Sequence, residues 1–145
     1  MNEYKHLLLP TDLTEASEPA AERARMLVNL TGAQLTILHI VDYVPPQWVA
    51  NELPEEFATE SALIDRARTR LSGWVDKIDL DISAQLVSAG SPKRIIVDTA
   101  KEIGADLIIM GTHGDRGIAR IVGSTARGVL HDAPCDVLIV HLAHS

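Results

Sequence analysis

The stretch Asp106-Leu107-Ile108-Ile109-Met110-Gly111-Thr112-His113-Gly114, followed after eight residues by Gly123-Ser124-Thr125, sets the class of fold for this 145-residue chain. An apolar run that ends in a glycine-rich loop, before Gly-Ser-Thr opens a short helix, is a strand feeding a helix N-terminus. Such a terminus carries orphan N–H groups and positive dipole charge, so it suits an anion. The segment from Asp136 to His141 reads as a second buried strand on the far side.

Upstream, the pattern repeats. Lys5 to Pro10 is a short apolar run, Thr14 to Thr31 carries apolar residues at helical spacing before a capping Gly32, and Gln34 to Val41 is rich in β-formers. Beyond a longer loop holding Pro45 and Pro46, the stretch from about Glu55 to Lys77 is amphipathic. Phe57, Leu63, Ile64, Ala67, Leu71, Trp74 and Val75 fall mostly on one stripe, with Asp65, Arg66, Arg68 and Arg70 largely off it. Asp81 to Val87 alternates and suits an edge strand. Ser91 and Pro92 then open a helix that runs to about Glu102 and stops at Gly104. Strands separated by helices imply an α/β fold with parallel pairing, right-handed crossovers and helices on both faces. The length suits one domain over residues 1–145, with a core large enough to need neither disulfide nor metal.

Composition narrows the function classes. A formal net charge of −7 and few aromatic residues (Trp 2, Tyr 2, Phe 1) argue against nucleic acid as a partner. No apolar run reaches the ~18 residues of a membrane span, and the N-terminus has no signal-peptide pattern, so a cytoplasmic protein is expected. The single cysteine, Cys135, reads as a small buried filler.

In an open doubly wound sheet, ligands bind outside the carboxyl ends of the strands where strand order reverses. Two such ends carry chemistry here. The first strand ends in Pro10-Thr11-Asp12 and the fourth in Met110-Gly111, so if these strands are neighbours, Asp12 faces the glycine loop across a crevice. Glycines let a ligand approach the backbone, Ser124 and Thr125 offer amides and hydroxyls, and Arg116, Arg120 and Arg127 offer positive charge. The same residues equally suit turns, an N-cap and a solvated face; composition and spacing leave both readings open. His39, alone in an apolar strand, reads as a core histidine bonded to neighbouring backbone. Asp42 reads as a strand terminator, and Trp48 either as a flap or as packing on the next helix.

Pro10 to Thr14, Ile37 to Asp42, Ala105 to Gly114, Gly123 to Ala126 and Pro134 to Val140 together resemble the universal stress protein family over essentially the whole chain. The resemblance implies an open five-stranded parallel sheet in the order 3-2-1-4-5, of the adenine nucleotide alpha hydrolase-like type. It implies a homodimer joined by antiparallel pairing of the last strand, Val137 to Leu142, across a two-fold axis. It also implies a site for an adenine nucleotide, ATP foremost and with magnesium. Nucleotide-binding members place ribose and phosphates on Gly-x2-Gly-x9-Gly-[Ser/Thr], use an aspartate at the end of the first strand, and set adenine near the end of the second. By position these roles fall to Gly111, Gly114, Gly123, Ser124 and Thr125, to Asp12, and to Ile40, with Pro10, Thr11, Met110 and His113 beside them. Between Gly114 and Gly123 this chain is one residue shorter than the motif and carries an extra Gly117.

Three functions follow as expectations: a nucleotide-binding regulatory or protective module, a dimeric stress protein acting through protein contacts alone, or an enzyme of the wider adenine-binding group. The enzyme reading is weakest. The chain has no His-x-Gly-His, no Ser-Gly-Gly-x-Asp-Ser and no Gly-x4-Gly-Lys-[Ser/Thr], and no catalytic residue or metal ligand is assigned.

Overall fold

The computed structural model describes residues 4–41, 46–111 and 123–141. Five parallel strands, β1 (His6–Thr11), β2 (Gln34–Val41), β3 (Ala84–Ala89), β4 (Leu107–Gly111) and β5 (Asp136–Val140), form one sheet in the order β3-β2-β1-β4-β5. The helices between them are α1 (Glu18–Thr31), α2 (Gln47–Ala50), α3 (Glu55–Ala58), α4 (Glu60–Ile78), α5 (Pro92–Ile103) and α6 (Ser124–Asp132).

Strand alternation divides the core into two layers. Leu7, Leu9, Leu35, Ile37, Leu107 and Ile109 pack against Ala20, Ala21 and Ala24 of α1 and Leu71, Trp74 and Val75 of α4. Leu8, Leu38, Ile108 and Met110 point the other way, onto Ile96, Val97 and Ala100 of α5 and Ala126 and Val129 of α6. Because β1 is covered on both faces, Leu7 to Leu9 form a continuous apolar run with no polar alternation.

The two ladders of β1 differ in length, and the difference opens the molecule. Pairing with β2 runs from His6 to Thr11, whereas the register with β4 covers only Leu7 with Leu107 and Leu8 with Ile108. The amino ends are pinned: the Asp106 carboxylate accepts from the backbone N–H groups of Lys5 (2.9 Å) and His6 (3.1 Å), and the Asp106 N–H donates to the His6 carbonyl (3.0 Å). Two residues past Leu8 stands Pro10, which has no N–H to give to any ladder. The strands therefore part at their carboxyl ends, where the strand order also reverses.

Several boundaries differ from the expectations for local reasons. The helix expected from Thr14 begins as a 3₁₀ turn over Glu15–Ser17 and becomes α-helical at Glu18, because Pro19 is accepted only in a first turn. The long helix expected from Glu55 is two. Thr59 is extended (φ −128°, ψ 157°), and its side chain accepts from the Ala62 N–H at 3.0 Å, capping α4. The edge strand expected over Asp81 to Val87 lies at Ala84–Ala89 instead, because Leu80 and Ile82 are spent on the α1/α4 core and Ser83 N–H already bonds the Leu35 carbonyl. Cys135 is half-buried, not buried, against the α5/α6 layer; burial first, and Asp136 and Asp106 after it, push its thiol pKa up. Trp48 is 76% exposed and is not among the residues that line the cleft at the sheet ends. Asp42 lies outside the described residues.

Helices are tied to one another at their ends. Arg25 of α1 reaches the last carbonyls of α4, at Ile78 and Asp79, placing a cation at the negative end of that helix. Lys93 of α5 pairs with Asp132 of α6. At the carboxyl end of β3, Gly90 takes φ +146° and donates to the Val41 carbonyl (3.0 Å), and a Cβ there would meet Ile95 Cδ1 at 3.2 Å. Only glycine adopts that backbone without strain. Gly90→Ala is expected to destabilise the protein by about 1–3 kcal/mol, read as a lowered midpoint in urea unfolding; an unchanged midpoint would show that the turn relaxes freely.

Candidate functional site

The parted strand ends open into a cleft of about 830 Å³, within the ~300–1,000 Å³ range of small-ligand sites. Pro10, Thr11 and Asp12 from β1, Ile40 from β2, Met110 and Gly111 from β4, and Gly123, Ser124 and Thr125 at the start of α6 all line it. The structure thus brings together the expected strand-end residues and the start of α6; His113 and Gly114 lie outside the described residues.

Asp12 is held by its own turn. Leu13 adopts φ +64°, uncommon for a branched side chain, and its N–H donates to Thr11 Oγ1 at 3.0 Å. This bend brings the Thr14 N–H (3.0 Å), the Thr14 hydroxyl (2.6 Å) and the Ser17 hydroxyl onto Asp12 Oδ1, while the Asp12 N–H donates to Ser17 Oγ at 3.2 Å. Burial raises the carboxyl pKa, but the hydrogen bonds from Ser17 and Thr14 outweigh it and hold Asp12 below its ordinary 3.8. The group is ionised at neutral pH. All its bonds fall on Oδ1, and among the described residues Oδ2 accepts none, leaving a fixed carboxylate oxygen for a ligand hydroxyl.

Opposite, Gly123 is the N-cap residue of α6 (φ −63°, ψ 162°), so Ser124 is the first helical residue rather than the cap. Gly123 has no side chain to cap this helix, and among the described residues none does so; its first-turn N–H groups stand at the cleft. The buried face of the same turn is anchored by Ala126 and Val129. An acceptor-rich group such as phosphate would satisfy those donors.

His39, 9% exposed, lines the cleft floor, and its Nδ1 donates to the Thr11 carbonyl at 2.9 Å. The expected backbone bond is present, and it ties β2 to β1 at the cleft. With Nδ1 carrying the proton, the neutral ring offers Nε2 as an acceptor.

Sequence reading missed the wall contributed by α4. Leu63, Arg66, Ala67 and Arg70 line the cleft, whereas the sequence reading sets the two arginines only off the apolar stripe. Their spacing of three, four and seven residues is one helical face, which the sequence carries, but only packing shows that this face meets a cavity. Arg127, by contrast, lies on α6 outside the cleft lining, and Arg116 and Arg120 lie outside the described residues. Among the described residues, no three His, Cys, Asp or Glu side chains gather to hold a metal ion, and no helix is long and apolar enough to cross a membrane.

Comparison with known proteins agrees with this arrangement. The model of the universal stress protein family matches residues 3–141. The chain is 34% identical over 146 aligned positions to universal stress protein A homolog 2 of Coxiella burnetii, with all of both chains covered. Among solved structures, universal stress protein UspA from Lactobacillus plantarum superposes with a TM-score of 0.75 at 29% identity, covering 97% of this chain and 100% of that one. A universal stress protein in complex with cAMP gives 0.68 at 26% identity, covering 98% and 100%. With the family's pattern matched along nearly its whole length and its fold reproduced strand for strand, this chain belongs to the universal stress protein family.

Proposed function

We propose that this protein binds an adenine nucleotide, ATP with magnesium foremost, at the carboxyl ends of β1 and β4, and acts in the cytosol as a homodimeric regulatory or protective module rather than as an enzyme. The observation that carries the proposal is the pairing, across one cleft, of a fixed carboxylate on Asp12 with the N-terminus of α6. In this reading Asp12 Oδ2 accepts from the ribose hydroxyls, Gly123, Ser124 and Thr125 hold phosphate oxygens with Gly111 and Gly114 nearby, and adenine lies by Ile40, Pro10 and Met110. The magnesium ion arrives with the phosphates, whose oxygens it binds. The relative solved with cAMP supports an adenine nucleotide as the ligand class.

The dimer is proposed through β5. It is an edge strand whose Val137, Leu138 and Ile139 are only half covered, and an uncovered apolar edge invites pairing with another strand. A second copy across a two-fold axis would supply that strand. Leu142, the end of the expected interface, lies outside the described residues.

Two experiments test these readings. Calorimetric titration of ATP in magnesium, with denaturing release of any copurified nucleotide, is expected to give one site per chain. Asp12→Asn keeps an acceptor for Thr14 and Ser17 but replaces the ribose-facing oxygen; it is expected to weaken ATP at least about tenfold, or ~1.4 kcal/mol. No heat and no released nucleotide would overturn the binding site and leave a module that works through protein contacts. For the dimer, Leu138→Pro and Ile139→Pro each delete one N–H on opposite sides of β5. At least one is expected to sediment as a folded monomer, whereas two folded dimers would contradict strand pairing.

A further inference from the structure

The α4 face of the cleft has a chemistry that the nucleotide reading leaves unused. Ala67 is 4% exposed and Leu63 is half-buried, so they form the apolar base of this wall, and Arg66 and Arg70 stand exposed at its mouth. The wall belongs to the α1/α4 side of the sheet, since Leu71, Trp74 and Val75 of the same helix pack on Leu35 and Ile37. The α6 N-terminus belongs to the other side, because Ala126 and Val129 pack on the layer of Leu8, Leu38 and Ile108. The cleft is therefore lined by a positive helix end from one side of the sheet, by two arginines from the other, and by Asp12.

The neighbouring arginine makes the placement specific. Arg68, two residues from each, falls outside the cleft lining. Arg66 and Arg70 are the lysine or arginine residues that line the cleft among the described residues, in a chain of formal net charge −7. Guanidinium stays charged throughout the physiological pH range and offers several donors to phosphate oxygens. A neutral ligand gains little from such a wall; an anionic one gains attraction from both flanks.

We propose that Arg66 and Arg70 form a second anion-recognising wall that makes the cleft select phosphorylated nucleotides over the parent nucleoside. The proposal rests on the nucleotide reading above and deepens it. Since both groups stand at an exposed rim, their contribution is screened by salt over a Debye length of ~8 Å at physiological ionic strength.

The test is calorimetry with ATP and with adenosine, at about 0.05 M and about 0.5 M salt, on the wild type, Arg70→Gln, the Arg66→Gln/Arg70→Gln double variant, and Arg68→Gln as a control on the same helix. The ratio of ATP to adenosine affinity is expected to fall about threefold in the single variant and at least about tenfold in the double variant at the lower salt, less at the higher, with Arg68→Gln unchanged. The single variant keeps the test open if the double variant does not fold. A ratio unchanged in the variants, with ATP still bound, overturns the arginine wall alone, as does an equal loss of both ligands, which would mark a structural role. Absence of ATP binding to the wild type overturns the nucleotide reading, and this proposal with it.

Discussion

The site depends on the early end of one ladder. β1 is bonded to β4 only at Leu7 and Leu8, while it stays with β2 to Thr11. Asp106 clamps the amino ends together, so the separation is confined to the carboxyl ends. Pro10 cannot contribute an N–H to close the gap. Had the ladder run on, the space between Thr11 and Gly111 would be filled by paired backbone, and neither Asp12 nor the start of α6 would face a cavity.

Around that gap the chain spends its polar groups asymmetrically. Asp12 has one oxygen saturated by Thr14 and Ser17 and another that accepts no bond among the described residues, an arrangement that fixes the side chain without exhausting it. The turn holding it depends on Leu13 at φ +64°, a conformation that costs an L-residue roughly 1–2 kcal/mol. Its side chain packs against the α1/α4 core, which offsets the strain. His39 joins the two strand ends from below through the Thr11 carbonyl. Asp12, His39 and the start of α6 are each held in place by hydrogen bonds or packing within the chain.

Much of this was legible in the residues. Apolar runs bounded by Pro10, Gly32 and Gly104 marked strands and helix ends, because proline and glycine act on the chain locally. The pairing of Asp12 with the Gly111 and Gly123 region followed from the rule that strand order reverses at a ligand site. What was misread depended on competition between neighbours. Thr59 broke an amphipathic stretch that periodicity alone joined, because a hydroxyl can satisfy a helix N–H as readily as continued helix can. The third strand slid from Asp81 to Ala84 because its register is set by β2, not by its own alternation. Arg66 and Arg70 read only as lying off the apolar stripe, because a charged face beside such a stripe has two flanks, and only packing decides which flank meets a cavity.

By itself the sequence determined the order of strands and helices, the positions of the capping glycines and prolines, and the family to which the chain belongs. These are properties of local backbone preference and of short motifs, and they need no partner in space. The tertiary structure alone decided that β1 leaves β4 after Leu8, that α4 turns Arg66 and Arg70 toward the opening, and that Thr14 and Ser17 gather on one oxygen of Asp12. Each of those is a relation between segments distant in the chain, set by which surfaces pack and which hydrogen bonds are satisfied elsewhere, and so it exists only once the sheet has closed around its two cores.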